Sequence, residues 1–171
     1  MKIEVNLTQK WSEVAYFYNA HPDAFRALLE QVTGTLNNFD FFALSVGELC
    51  AIVEGGFPQS LWKHYENCDV RTFCKLTNSL REGVKQLMTF LENTTPPTTP
   101  QERKAATGLI NTTFEENALG MLVEYFHLHS FEEAQKLSVY EFMMVRKTLY
   151  NRRKLEYNRI MIADAESKLR R

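Results

Sequence analysis

The sequence is poor in the residues that build reactive or cross-linked sites. Among its 171 residues are three cysteines and seven glycines. Because Cys50, Cys68 and Cys74 are odd in number and form no Cys-x-x-Cys pair, neither a disulfide framework nor a cysteine zinc site is expected. The sequence also lacks a glycine-rich phosphate loop, a Gly-x-Ser-x-Gly elbow and a cysteine with an evident histidine partner. It therefore predicts neither an enzyme nor a bound cofactor.

Long apolar runs are lacking as well. No stretch approaches the eighteen consecutive apolar residues of a membrane-spanning helix, and the opening residues MKIEVNLTQK contain no apolar core of a secretory signal. These absences predict a cytoplasmic protein without a membrane partner.

The chain as a whole has almost no net charge, but its C-terminal end is basic. The formal net charge is -1 and 44% of the residues are hydrophobic, which is a globular composition. Residues 146–171 nevertheless hold nine Lys and Arg against three acids, so this segment carries +6 and the preceding residues carry -7. The length suits one domain, or two small helical subdomains that share a core.

Apolar residues recur at helical spacing through most of the chain, as they do over residues 11–18 and 73–91. Ser/Thr-x-x-Glu sequences predict capping boxes at helix starts, because the hydroxyl accepts from the N3 amide while the Glu side chain reaches back. They begin at Ser45, Thr99, Thr113, Ser130 and Ser138. Alternation over residues 3–7 predicts at most one short strand. The expected fold is all-α, with about six to eight helices and a long C-terminal helix from about residue 139 to the high 160s.

The segment NTTPPTTP at residues 93–100 has the composition of a linker. Proline cannot continue a helix, and it biases the residue before it towards extended geometry. We therefore predict an N-terminal helical subdomain of residues 1–92, a stiff, exposed linker at 93–100, and a C-terminal helical subdomain of residues 101–171.

Two histidines near residue 128 are candidates for metal binding. Glu124 and His127 have the Glu-x-x-His spacing of di-iron bundles, but such a site needs a second copy and two more glutamates, and the sequence has no second copy. If His127 and His129 are both helical, they point about 200° apart and cannot share a metal. No metal site is predicted.

The stretch Ser130–Lys154 has two interpretations. It matches either a helix-turn-helix that reads DNA or two capped helices whose apolar residues meet another protein. A DNA-reading helix offers polar or small side chains at its first turns, whereas this one offers Phe142, Met143, Met144 and Val145. Those four positions sweep about 300° of the helix, which favours a buried segment or a protein partner.

A partner-binding site is predicted on the last helix, which is both basic and aromatic. Its residues are Met143, Met144, Arg146, Arg152, Arg153, Tyr157 and Arg159. Methionine suits adaptable contacts, and a basic helix suits an acidic surface, which belongs to a helical partner, to a second copy or to the chain's own body. The alternative is that the aromatic stripe packs on its own domain. Self-association through the basic helix would weaken as salt rises.

The C-terminal part of the sequence resembles the tail assembly chaperones of long-tailed bacteriophages and prophages. The resemblance covers roughly residues 96–160 and is carried by TTPQERKAATGL at 98–109, by Phe114, Leu119, Leu122 and Val123, and by FEEAQKLSVYEFMMVRKTLYNRRKLEYNRI from Phe131. It implies a small helical protein that is not an enzyme.

Such chaperones bind the long helical tape measure protein in the host cytoplasm while the tail tube protein polymerises around it, and they are absent from the finished virion. Members are often made with a second, frameshifted product. The resemblance therefore implies a tape measure protein as the partner, with the tail tube protein as a further one.

Overall fold

The computed structural model describes residues 6–169, and this part of the chain is all-α, as predicted. Within it lie nine α-helices and a 3-10 helix at Phe41–Ala43, and none of these residues forms a strand. The number of helices is one above the predicted range of about six to eight. The helices are α1 (Trp11–Ala20), α2 (Pro22–Gln31), α3 (Val46–Val53), α4 (Gln59–Tyr65), α5 (Val70–Asn93), α6 (Pro100–Ala105), α7 (Phe114–Phe126), α8 (Phe131–Gln135) and α9 (Val139–Leu169).

The predicted N-terminal strand falls mostly on residues that the structure does not describe. Ile3 and Val5 lie outside the described range, and Leu7 lies in a turn. Nearby, Lys10 pairs with Asp69 in an isolated antiparallel bridge.

Side-chain caps begin helices where the sequence predicts them. Both hydrogen bonds of the capping box form at Ser45, Thr99, Thr113 and Ser138. In each, the Ser or Thr hydroxyl accepts from the amide of the glutamate three residues later, and the glutamate carboxylate accepts from the amide of the Ser or Thr. At Ser130 the box is half formed, because the Glu133 carboxylate accepts from the amide of His129 instead. These contacts span three or four residues, so the local sequence sets them.

The longest helices are α5, with 24 residues, and α9, with 31. Within residues 6–169, neither these nor the shorter helices combine the length and the apolar character needed to span a bilayer.

The first of two compact units comprises residues 1–44 and 51–87. Its core is aromatic: the Trp11 ring stacks on Phe73 at 3.9 Å between centroids and on Tyr18 at 5.7 Å. The Trp11 amide donates to the carbonyl of Cys68 at 2.8 Å, which fixes the start of α1 against the start of α5. The aromatic rings therefore set how α1 and α5 pack in this unit.

Close packing also requires a glycine in this unit. Phe41 is 5% exposed and lies against α5 at Gly83. A Cβ atom added to Gly83 would lie 2.1 Å from Cγ of Phe41 and 2.3 Å from its Cδ2. The ring therefore occupies the space that any larger side chain at residue 83 would need.

The second unit comprises residues 45–50 and 88–171. Helix α7 packs against α8 and α9, and the Phe114 and Phe142 rings meet edge to face at 6.1 Å. The start of α3 joins this unit through the Val46 amide, which donates to the carbonyl of Leu137 at 2.7 Å. Val46 is fully buried, so this early segment is part of the second core.

The division into units does not coincide with the predicted linker. One boundary falls inside α5, between residues 87 and 88, and residues 93–100 lie within the second unit. The predicted exposure of this segment is also incomplete, since Thr94 and Thr99 are each 7% exposed. Both threonines are held by hydrogen bonds: Thr94 donates to the carbonyl of Phe90 at 2.8 Å, and Thr99 caps α6.

Candidate functional site

Helix α9 changes character along its length. Its first two turns are anchored in the second unit by Val139, Phe142 and Val145, each at most 2% exposed. The antiparallel bridge between Ser45 and Ser138 and the complete capping box fix its starting point. The first part of the helix is therefore a rigid base for its C-terminal half.

The distal segment of α9, residues 151–169, lies largely in solvent. Only Arg153 and Tyr157 are half-buried, and every residue from 158 to 169 is exposed. At 1.5 Å per residue, those twelve residues are about 18 Å of helix without a buried side chain. The segment still carries large apolar groups, with exposed fractions in parentheses: Leu155 (53%), Ile160 (43%), Met161 (45%), Ile162 (59%) and Leu169 (87%).

The seven residues predicted to bind a partner divide between two faces of α9. At 100° per residue, the first face spans about 80° and the second spans about 80° on the opposite side. The residues of the first face are half-buried: Met143, Arg146, Arg153 and Tyr157. Those of the second face are exposed: Met144, Arg152 and Arg159. The predicted set is therefore not one surface.

Arg146 is engaged within its own unit. Its Nε donates to Oγ1 of Thr94 at 3.0 Å, and its NH2 group donates to the carbonyl of Leu91 at 3.3 Å. The last carbonyls of a helix lack intrahelical donors, so this arginine caps the end of α5. Burial lowers the pKa of Arg146, which reflects loss of water around the guanidinium. Its position favours a structural role over partner binding.

Arg153 is engaged as well. Its guanidinium forms an ion pair with Glu102, the glutamate of the α6 capping box, and a second with Glu156 at 2.9 Å. The hydrogen bond that Arg153 donates to Glu156 and the charges of both acids raise the pKa of Arg153. The Thr99 amide, followed by Arg153, lowers the pKa of Glu102. This network joins the first turn of α6 to α9.

Met144, Arg152 and Arg159 are the exposed members of the predicted set. Met144 is 47% exposed, and the two arginines are exposed on the same side of the helix. Leu155 and Ile162 share that side but were not in the predicted set. Their spacing of seven residues was a readable signal, as the seam of a helix pair repeats with that period.

Comparison with known proteins finds no matching family model, no similar curated protein and no similar solved structure. The resemblance to tail assembly chaperones therefore stays a prediction, and any assignment depends on the geometry of α9.

The N-terminal turns of α9 offer little for DNA reading. The side chains exposed there include Tyr140 and Met144, which cannot make the paired polar contacts that distinguish bases. The preceding helix α8 has two exposed acids in its first turn, Glu132 and Glu133, which would repel phosphate.

The histidines are arranged differently from the expectation. Helix α7 ends at Phe126, and His127 is its C-cap in the left-handed region, with φ of 53°. His129 follows outside the helix, so the argument from a 200° separation does not apply. In residues 6–169, no group of three or more His, Cys, Asp or Glu side chains is placed to hold a metal ion.

Two cysteines of the first unit have weakly reactive thiols. Burial raises the pKa of Cys68 to about 11 and that of Cys74 to about 12, and the charge of Asp69 adds to both shifts. Both thiols are therefore protonated at neutral pH, and the thiol is a far poorer nucleophile than the thiolate.

The second unit also has an open cavity that was not expected from the sequence. Its volume is about 450 Å³, and it lies between α5, α7 and α9. The lining is mainly apolar and includes Phe114, Met121 and Phe142, with Asn117 and Arg146 as polar groups. No local pattern signals such a cavity, because its residues come from three helices that meet only in the fold.

Proposed function

We propose that this chain is a non-enzymatic assembly chaperone that binds a helical polypeptide through the distal segment of α9. The exposed apolar side chains of that segment carry the proposal. Leu155, Ile162 and Leu169 are 53%, 59% and 87% exposed on a helix whose base is anchored by buried residues. Large exposed apolar side chains repeated along one side of a helix and flanked by charge are typical of a protein-binding surface.

The nature of the partner is inferred from the resemblance and from charge. The resemblance implies the tape measure protein, a long helical polypeptide, with the tail tube protein as a further partner in the cytoplasm of the bacterial host. An amphipathic helix that waits for its tube exposes apolar surface, and a second helix covers such surface through contacts at i, i+3, i+4 and i+7. The basic distal segment suits a partner that carries acidic groups.

Release is as important as binding for a chaperone that is absent from the finished particle. A single helix offers a small interface, and small interfaces belong to transient complexes. Its ionic contacts also weaken with salt. The proposed site is therefore suited to holding a partner and then giving it up.

The test is co-expression with the tape measure protein encoded by the same phage or prophage. The full chain should co-purify with that protein, and a variant lacking residues 151–171 should not. Of the described residues removed, only Arg153 and Tyr157 are half-buried, so the truncated protein should keep its helical circular dichroism signal and cooperative melting. Tyr16→Asp is the matched control, because Tyr16 is 88% exposed on α1.

Capture that survives the truncation, or a full chain that captures no tape measure protein, would contradict the proposal. A DNA-binding regulator gives a different result. It would bind a fluorescent duplex with an affinity that falls steeply between 50 and 200 mM salt, by about 10³-fold or more when several phosphates are neutralised.

A further inference from the structure

The exposed side of α9 repeats with a period of seven residues. One row contains Thr148, Leu155, Ile162 and Leu169, and the row beside it contains Met144, Asn151, Asn158 and Ala165. The two rows alternate at spacings of four and three, which is the a and d pattern of a coiled-coil seam. We refer to these eight residues as the seam.

The seam faces away from the helix's own unit. Seven of its residues are exposed and Thr148 is half-buried. The buried Phe142 and the engaged Arg146 and Arg153 lie on the opposite side, while the buried Val145 borders the first turn of the seam. Helix α9 therefore has two apolar faces. One is buried near the start of the helix, and the other is largely exposed to solvent along residues 144–169. Three and a half heptads are about 37 Å of helix, enough to pair with a second helix.

The flanks of the seam are basic. In a coiled coil, the e and g positions beside the seam face those of the partner helix and select it by charge. Here they carry five basic residues and the single acid Glu166, with Val145 and Met161 at the other two positions; the basic residues are Lys147, Arg152, Lys154, Arg159 and Lys168. Of these, Lys168 forms an ion pair with Asp164 at 2.7 Å. A second copy aligned in parallel would bring like charges together, so the charge pattern selects a different chain with acidic flanks.

Polar residues interrupt the seam. Asn151 and Asn158 occupy neighbouring d positions, where a polar side chain fixes register at a cost in stability. A partner helix needs polar side chains at the facing positions, because an unpaired amide in the interface would lose its hydrogen bonds to water. Two such positions give a specific complex that dissociates readily.

We infer that the seam of α9 forms a two-stranded coiled coil with an amphipathic helix of another protein that carries glutamate or aspartate at its flanking positions. This inference deepens the proposed function and rests on it for the biological source of that helix. The heptad spacing and the charge of the site specify a helix with acidic flanking positions, whichever protein supplies it.

Two synthetic four-heptad peptides test the inference with the full chain. Both have leucine at the seam positions except for asparagines opposite Asn151 and Asn158. The acidic probe has glutamate at every flanking position, and the basic probe has lysine there. In fluorescence anisotropy at 50 mM salt, the acidic probe should bind at least about tenfold more tightly, and this preference should shrink at 500 mM salt. The double variant Arg152→Glu/Arg159→Glu should lose the preference or reverse it.

Two isoleucines on one helix provide a matched pair of variants. Ile162 lies in the seam and is 59% exposed, while Ile160 is 43% exposed and lies about 160° away around the helix. Ile162→Asp should weaken acidic-probe binding by about tenfold or more, as truncation of a central contact does, while Ile160→Asp should leave it within about twofold. Because both side chains are exposed, the two variants should melt as the unaltered chain does.

The inference is overturned if the two probes bind equally or if both isoleucine variants lose binding alike. It is also overturned if neither probe binds while sedimentation shows a dimer that Ile162→Asp abolishes, since the seam would then join two copies. Binding to phosphatidylserine vesicles without binding to either probe would assign the basic apolar helix to a membrane surface instead.

The same variants separate this inference from the proposed function. Acidic-probe binding that depends on Ile162, together with no capture of the tape measure protein, would leave the seam standing and reject the chaperone role. Capture that is indifferent to Ile162→Asp would keep the chaperone role and reject the seam.

Discussion

Two helical glycines should respond to alanine with opposite signs. In a helix interior, replacing glycine by alanine stabilises by about 1 kcal/mol, because the unfolded chain loses freedom and the helix gains propensity. At Gly120, in α7, an added Cβ meets nothing within 4 Å, so Gly120→Ala should show this gain. At Gly83 the same methyl would lie 2.1 Å from the Phe41 ring, more than 1 Å closer than an ordinary contact.

The clash at Gly83 outweighs the helical gain. Phe41 is 5% exposed and cannot swing into solvent without losing its packing. Overpacking costs about 1–3 kcal/mol or more, so Gly83→Ala should destabilise by up to about 2 kcal/mol net. For a chain of this length, the two variants should shift the melting temperature by about 2–4 °C per kcal/mol, in opposite directions.

Thermal melting by circular dichroism measures both variants, and the fluorescence of Trp11 and Trp62 reports the first unit. Phe41→Leu provides the second arm of a double-mutant cycle. A smaller residue at 41 should relieve part of the clash, so Gly83→Ala should cost less in that background. The packing argument is wrong if Gly83→Ala stabilises as Gly120→Ala does.

Further predictions concern the arginine cap, the box of α6 and a buried thiol. Arg146→Met should destabilise the chain by about 1–3 kcal/mol in urea unfolding, because it leaves the buried Thr94 hydroxyl and the end of α5 without a charged donor. An unchanged urea midpoint would show that Arg146 does not stabilise the end of α5. Thr99→Ala should cost about 1 kcal/mol in the same assay through loss of the cap. Because the pKa of Glu102 is lowered in the folded state, the Glu102 carboxylate contributes to stability above its ordinary pKa, and this contribution is lost as pH falls through the lowered value. In that pH range, the free energy of unfolding should therefore fall more for the unaltered chain than for Glu102→Gln. Cys74, with a pKa of about 12, should resist labelling by iodoacetamide at pH 7.5, as measured by mass spectrometry. Because the thiol of the unfolded chain ionises first, the free energy of unfolding should fall as pH rises from about 9 through 12.

Local signals in the sequence were the most reliable ones. The start of α9 at Val139 follows from Ser138 and Glu141, and the start of α6 follows from Thr99 and Glu102. Each signal acts within one helical turn, so no knowledge of the fold is needed to read it. The end of α7 has no such signal, because His127 takes the left-handed cap position at which glycine or asparagine is usual.

Tertiary contacts explain why the site could be predicted only in part. Arg146 looked like a binding residue, but its partners Thr94 and Leu91 are more than fifty residues away. The assignment of Ser45–Cys50 to the second unit depends equally on a distant pairing. The division of the seven site residues into two faces was readable at 100° per residue. Which face is half-buried was not readable, because that depends on where α5, α6 and α7 lie.

The membership of residues 45–50 in the second unit has a consequence for synthesis of the chain. Val46 and Leu49 are fully buried, and the pairing of Val46 with Leu137 spans about ninety residues. At a translation rate of about 5–20 residues per second, the ribosome needs roughly 5–20 s to make the intervening chain. The burial of Val46 and Leu49 in the second unit can therefore be completed only after Leu137 has been synthesised and the last helix begins to emerge.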